Sequence, residues 1–375
     1  MKIGSRFRLV RHGLGPLRHN FGEASSAESK RTRMNSLHRS LCAGVAACAA
    51  LLQPIIAHAD TTYTVRQEFT VKDVPQGAKN VRGWFWMPED RPEQTVIEFR
   101  VVEAPDSLKI TRDPRYGRSW LYAEGKASAD QPLRVVTEFK VVRRSVSGLA
   151  DAAKTAALTE QDKRALTAEL RRDEKHMEIT PALQKSADDI AGQETNPVTQ
   201  ARLFFDYVIA KSDHYSKFGS TPKGKCLGDA GECMAGTGDC CTDQHALFIA
   251  LCRARGIPCR LMFGSRLKPE NLEKDHNPGY RCWPNFFAPG LGWIPLDISS
   301  ADAGDPAKAG DWFGGLDDRR MEWAEGRDFD LEPKSKVRPD LVIGGWVEVD
   351  GVPFKGFERV VNFKRLDPPA PVAVK

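Results

Sequence analysis

Cys241 opens the run Cys241-Thr242-Asp243-Gln244-His245-Ala246-Leu247-Phe248-Ile249-Ala250-Leu251, which is apolar nearly all round after its first turn. That pattern predicts a buried, central helix with a thiol at its N-terminus. The helix macrodipole and the first-turn N–H groups favour thiolate over thiol at that place. The same N–H groups can receive the oxyanion formed when a thiolate attacks a carbonyl carbon. The competing reading is a structural cysteine, because Cys240 precedes it and five more cysteines lie between Cys226 and Cys282.

A thiol nucleophile needs a proton carrier, and histidine titrates in the right range. Beyond residue 59 the chain has four: His176, His214, His245 and His276. His245 lies one helical turn from Cys241, so it is expected as a hydrogen-bonding neighbour of the site. His276, in the loop Lys274-Asp275-His276-Asn277-Pro278-Gly279, either swings over Cys241 as a substitute base or is simply solvated. Asp243 either complements the helix dipole or, if turned to Cys241, raises the thiol pKa. Trp283 shares a strand face with Arg281 and belongs either to the core or to the wall of the site.

The stretch Gly238–Arg260, GDCCTDQHALFIALCRARGIPCR, resembles the nucleophile helix and following strand of transglutaminase-like proteins. Arg281-Cys282-Trp283-Pro284-Asn285-Phe286-Phe287 and Pro289-Gly290-Leu291-Gly292-Trp293-Ile294-Pro295-Leu296-Asp297 resemble that family's hairpin bearing His and Asp. Phe313–Asp317 and Gly326-Arg327-Asp328 resemble further segments of bacterial members, so the likeness spans about residues 195–330. It implies a papain-like Cys–His–Asp core that forms a thioester from a carboxamide and passes the acyl group to water or an amine. By position, Cys241 is the nucleophile and Asp297 the acid, but Arg281 stands at the place of the histidine. Guanidinium stays protonated and cannot serve as a base. A hairpin turning about Pro289 sets Arg281 opposite Asp297, which predicts an ion pair in the His–Asp slot. Arg281 is alternatively a carboxylate-binding group beside the thiol. The expected function is exported cysteine acyl transfer on protein or peptide amides of the glutamine type. The alternative is a pseudoenzyme that binds a protein partner. No cofactor is needed for this chemistry, and no oxygen-rich calcium loop is present.

The elements that position these residues follow from patterning. Tyr63, Val65, Phe69 and Val71 alternate with polar residues, as do Leu133, Val135, Phe139 and Val141. These period-two runs predict an antiparallel, sandwich-like β domain over residues 60–147. A transglutaminase-like domain follows over 148–335, with a capping box at Thr159–Asp162 and a helix begun by Asn196-Pro197. A β segment and a Pro-rich tail complete 336–375. The expected fold class is therefore α+β: a central nucleophile helix on an antiparallel sheet, preceded by a β-sandwich-like domain.

The 375-residue chain carries a net charge of +5. Residues 1–59 hold nine of the 55 Lys/Arg and two of the 50 Asp/Glu, leaving 46 against 48 elsewhere. The basic excess therefore belongs to the leader, which removes the case for a nucleic-acid partner. Residues 42–56 form a short apolar run before Ala57-His58-Ala59, a secretory signal pattern with Met34 as the better start and cleavage after Ala59. This predicts a periplasmic or secreted protein with no stable membrane anchor. Seven cysteines remain beyond the leader, predicting one or more disulfides near Cys226–Cys240. Zinc is the weaker reading, because no C-x-x-C pair occurs.

Overall fold

The computed structural model describes residues 60–126, 132–273 and 280–366. The predicted leader with its cleavage site, the loop bearing His276 and the Pro-rich tail from Asp367 lie outside the described residues.

Six strands open the chain: β1 (Thr61–Val71), β2 (Val81–Trp86), β3 (Gln94–Glu103), β4 (Lys109–Arg112), β5 (Ser119–Gly125) and β6 (Arg134–Arg143). The alternation read in β1 is the burial observed, with Tyr63, Val65, Phe69 and Val71 inward. Three later strands return to this region: β11 (Gly345–Val349), β12 (Val352–Pro353) and β13 (Phe357–Leu366). One sheet has the order β13-β1-β6-β3 and the other β12-β11-β2-β5-β4, every pairing antiparallel. Between them Phe69 stacks on Phe85 with ring centroids 4.5 Å apart, surrounded by Val71, Val135, Leu121 and Val347. These contacts make the pair of sheets a sandwich.

Between β6 and β11 lie the helices α1 (Glu160–Ala165), α2 (Pro181–Ala191), α3 (Pro197–Lys211), α4 (Ala230–Ala235), α5 (Cys241–Ala254) and α6 (Ile298–Ala303). The same stretch holds a third sheet, of order β10-β7-β8-β9, from β7 (Cys259–Arg266), β8 (Tyr280–Ala288), β9 (Gly292–Pro295) and β10 (Arg320–Glu325). The Thr159 capping box forms, though α1 is only six residues long. Asn196 caps α3 by accepting from the Val198 and Thr199 N–H groups, and Ala201, Phe204, Phe205 and Val208 are its buried stripe. All fourteen residues of α5 are buried. Full burial of Leu247, Phe248, Ile249 and Leu251 stabilises the fold by about 1.5–3 kcal/mol each. Gly256, at φ 73°, ends this helix in the left-handed region that glycine adopts without strain.

The architecture is thus α+β, with a buried helix on an antiparallel sheet and a β sandwich whose strands come mostly from before that region and are completed by β11, β12 and β13 after it. The inner face of β1 serves both regions. Phe69 and Val71 point into the sandwich, whereas Tyr63 and Val65 join the cluster that includes α5. Trp86 of β2 stacks on Trp323 of β10 with centroids 6.5 Å apart, tying the sandwich to the third sheet. β7 and β10 approach so closely at Gly264 that an added Cβ would lie 2.2 Å from the Met321 carbonyl oxygen.

Candidate active site

Cys241 is the first residue of α5, where helix geometry leaves the N–H groups without intrahelical partners. Cys240 is the cap, and its thiol donates to Asp243 Oδ2 at 3.1 Å. Asp243 Oδ1 accepts from the backbone N–H groups of Gly228 and Asp229 at 2.9 and 3.0 Å. The Asp243 carboxylate is therefore occupied by the cap and the preceding loop. It does its capping work there, stabilising the helix end by about 1 kcal/mol.

The Cys241 sulfur meets a second thiol. Cys241 Sγ lies 3.9 Å and Cys282 Sγ 3.6 Å from the same Thr242 hydroxyl, which also bonds the Tyr280 hydroxyl. Cys282 Sγ is 3.2 Å from His245 Nδ1. His245 Nε2 is 3.6 Å from Asp297 Oδ1, close enough for charge to act but too long for a hydrogen bond. A hydrogen bond from Cys282 outweighs burial and holds the Cys241 thiol well below its ordinary range, and His214 and His245 act in the same direction. Burial pushes Cys282 far up, and the neighbouring Cys241 charge adds to it. Both effects favour the charge on Cys241 over Cys282.

Asp297 caps α6, accepting from Ser300 N at 2.9 Å, Ser299 Oγ at 2.7 Å and Ser300 Oγ at 2.8 Å. Its other partner is Arg320 of β10, an ion pair in which both side chains are shut off from solvent. Burial alone would raise this carboxyl, but the Arg320 charge overrides it, and Asp297 is held well below the usual carboxylate range.

Arg281 does not form the expected pair with Asp297. The β8–β9 register sets Asn285 against Pro295 and Ala288 against Gly292, so the hairpin turns about Gly290, not Pro289. Asp297 lies past the end of β9, where Arg320 reaches it. Arg281 is exposed, opposite Gly264, and donates to the Tyr280 carbonyl at 2.9 Å. Strand alternation gives the helix-facing place to Cys282. Trp283 shares the face of Arg281 and packs with Met262 and Leu316, apart from the thiols.

Two residues at the site carry no motif in the sequence. Arg320 sits between Trp283 and Trp312, 5.7 and 5.4 Å from their ring centroids. His214 comes from the segment after α3 and is among the groups that hold the Cys241 thiol down. Its Nδ1 is 2.7 Å from Ser216 Oγ, and its ring stacks on Tyr215 at 4.6 Å. The only sequence signal for His214 is that it is one of four histidines beyond residue 59.

The seven described cysteines are all free thiols, so the disulfide expected near Cys226–Cys240 is not formed. Instead, Cys226, Cys240 and Asp243 bring two sulfurs and a carboxylate oxygen within 4.8 Å of one another. Among the described residues this cluster has the donors and proximity for a soft cation. Its Cys240 and Asp243 groups are already bonded to each other.

Residues 184–298 match the model of the Transglutaminase-like superfamily. This part of the chain is a transglutaminase-like core. It contains α5, the β8–β9 hairpin and Asp297, whereas Arg320 reaches the site from outside the matched span. A solved structure from Cytophaga hutchinsonii, described as a candidate cysteine protease, shares the fold of the whole arrangement. Its TM-score is 0.53 at 14% identity, over 83% of this chain and 93% of that one. The periplasmic domain of TgpA from Pseudomonas aeruginosa aligns with 67% of this chain and 91% of its own, at 16% identity and a TM-score of 0.32. An uncharacterized protein of Haemophilus influenzae is 24% identical over 331 residues, which is 79% of this chain and 87% of that protein. In the transglutaminase-like core, then, a thiol at a helix N-terminus lies beside a second thiol, two imidazoles and a charged Asp–Arg pair. The arrangement suits nucleophilic attack on a carbonyl carbon.

Proposed function

We propose that the protein is an exported cysteine acyl-transfer enzyme acting on protein or peptide amides of the glutamine type. The observation that carries this reading is the Cys241 sulfur at the N-terminus of α5, sharing the Thr242 hydroxyl with Cys282 and held toward the thiolate. The thiolate attacks the amide carbon, and the electron pair of the carbonyl moves to an oxygen received by the first-turn N–H groups. Loss of the amine leaves a thioester, which water or another amine then opens. Export rests on the leader pattern ending at Ala59. Among the described residues no helix is long and apolar enough to cross a membrane.

Arg281 favours a second reading, a transglutaminase-like fold retained to bind a protein partner. The two readings part on covalent chemistry. Mixed with p-nitrophenyl acetate, the enzyme releases a stoichiometric burst of p-nitrophenolate and gains an acetyl group on Cys241, and Cys241→Ala abolishes both. A wild-type protein with no burst and no adduct leaves the binding reading.

A further inference from the structure

We propose that Cys226, Cys240 and Asp243 form a metal site for a thiophilic divalent cation, Zn²⁺ by its donor set. The inference stands apart from the acyl-transfer reading of Cys241. One donor atom from each of the three residues lies within 4.8 Å of the other two. Among the described residues no other group of three His, Cys, Asp or Glu side chains gathers its donors this tightly. A tetrahedral ion with Zn–S bonds of about 2.3 Å sets two sulfurs about 3.8 Å apart, so the trio closes onto an ion with a movement of no more than about 1 Å.

The donors are held in place by the surrounding chain. Asp243 Oδ1 accepts from the backbone N–H groups of Gly228 and Asp229 at 2.9 and 3.0 Å. That leaves Oδ2 turned to Cys240, whose thiol donates to it at 3.1 Å. The loop carrying Cys226 is pinned by Arg327, which donates to the carbonyls of Leu227 and Gly228 at 2.9 and 2.7 Å. Arg327 is itself anchored on Asp340 by bonds of 2.8 and 2.7 Å. Gly228 takes φ 70°, and an added Cβ would meet Thr242 Cγ2 at 2.7 Å, so this loop lies directly against the first turn of α5. A ligating carboxylate needs such partners to fix its orientation, and the ligands need a rigid frame. Cys240 and Asp243 are buried, while Cys226 is half-buried and gives the ion a way in from solvent.

The donor set selects the ion. Mg²⁺ and Ca²⁺ take oxygen ligands, and the carboxylate is a poor partner for Cu(I). Zn²⁺ accepts thiolate and carboxylate together and completes its tetrahedron with a water. The proton that Cys240 gives to Asp243 Oδ2 lies between two of the donors, where the ion would bind. On binding, that proton and the Cys226 thiol proton pass to water, and two S–Zn bonds and one O–Zn bond form. Two positive charges arrive as two leave, so the net charge beside Cys241 is unchanged. The ion acts by cross-linking the cap of α5 to the loop before it, and so contributes stability.

Cd²⁺ tests the assignment on the whole protein, stripped with a chelator and kept reduced with a phosphine. It takes the same donors as Zn²⁺, and its bonds to thiolate give an ultraviolet charge-transfer band. In the wild type the band saturates at one equivalent and Zn²⁺ abolishes it. At a hundred-fold excess of Zn²⁺ over Kd the melting temperature rises by about 5–10 °C. Cys226→Ser and Cys240→Ser each weaken Cd²⁺ binding by more than about 100-fold and lose that rise. Both variants keep the fold, since Cys226 is half-buried and serine at 240 is a favoured cap that still donates to Asp243. Cys282→Ala, which breaks the other pair of thiols, keeps the band at one equivalent. A reduced wild type without the band overturns the site. So does a band that survives in both serine variants, which places the ion at other thiols. A Cys226–Cys240 disulfide in protein isolated without reductant, seen by peptide mass spectrometry, also overturns it, because those sulfurs then serve a covalent cross-link.

Discussion

Replacing Arg320 by Met should cost the fold about 3 kcal/mol, and the structure says why the value falls there. Asp297 and Arg320 are both fully buried, and they pair inside the protein. Removing one partner of such a pair typically costs about 3–5 kcal/mol, because the other charge stays desolvated. Two features place Arg320→Met at the lower end. Asp297 keeps its bonds from Ser299 Oγ, Ser300 Oγ and Ser300 N. Arg320 itself is incompletely satisfied, since its Nε and Nη1 have no hydrogen-bond partner. At about 2–4 °C per kcal/mol, the melting temperature should fall by on the order of 10 °C. The double variant Arg320→Met/Asp297→Asn removes both charges and should recover more than half of the loss.

The sign of the pH dependence follows from Asp297. Its folded pKa is depressed, so its stabilisation is present above the unfolded carboxylate value of about 3.9 and is lost as pH falls below it. In Arg320→Met burial prevails, the Asp297 pKa rises, and the penalty shrinks as the carboxyl takes a proton. Urea titrations of wild type, single and double variants between pH 4 and 8 should therefore converge at the acid end. A single variant within about 1 kcal/mol of wild type at pH 7, or a double variant no better than the single, would refute the reasoning.

Cys282→Ala removes the strongest group favouring the Cys241 thiolate, so the Cys241 pKa rises and alkylation by iodoacetamide at mildly acid pH slows. A hydrogen bond to a charged group is worth about 1.5–3 kcal/mol, so the expected slowing is roughly ten-fold or more, read by peptide mass spectrometry. In the wild type Cys241 should be labelled ahead of Cys240, whose thiol is pushed up by burial, by Cys241 and by Asp243. Gly264→Ala drives a Cβ to 2.2 Å from Met321 O and 2.3 Å from the Trp283 ring, and should lose about 3 kcal/mol or more, seen as a lowered urea midpoint or insoluble protein. Asp243→Asn turns one acceptor into a donor facing backbone N–H groups of Gly228, Asp229 or Cys240, and should cost about 1–3 kcal/mol in the same titration.

Local pattern carried the elements further than it carried their neighbours. The alternation at Tyr63–Val71 and the apolar run after Cys241 specify a strand and a buried helix, because each element's period is written in its own residues. Pairing is a different matter. Nothing within Phe357–Leu366 states that this strand lies beside β1, and a one-residue shift in the centre of the β8–β9 turn, from Pro289 to Gly290, sufficed to part Arg281 from Asp297. Arg320 was hidden for the same reason. It lies between two recognisable segments, Phe313–Asp317 and Gly326–Asp328, but in neither, and only the β7–β10 pairing delivers it to Asp297. His214 is held by contacts to chain 24 or more residues away, so no spacing rule near Cys241 points to it. The arginine at 281 is plain in the sequence, but which of positions 281 and 282 faces the helix depends on where β8 begins.

The pairing of β1 with β13 joins Thr62 to Leu366 and runs to Val71 opposite Phe357. In a chain made or threaded from its N-terminus, β1 waits for its second neighbour until nearly the whole sequence has followed. During that interval one ladder of β1 stands open, an invitation to pair with another molecule. Closing so long a loop pays its entropy before any ladder contact is gained, so this step should be slow beside the formation of α5. The nascent transglutaminase-like core would then exist before the sheet that flanks it. The rate of β13 docking, more than the stability of the site, would set how long newly made molecules remain prone to aggregate.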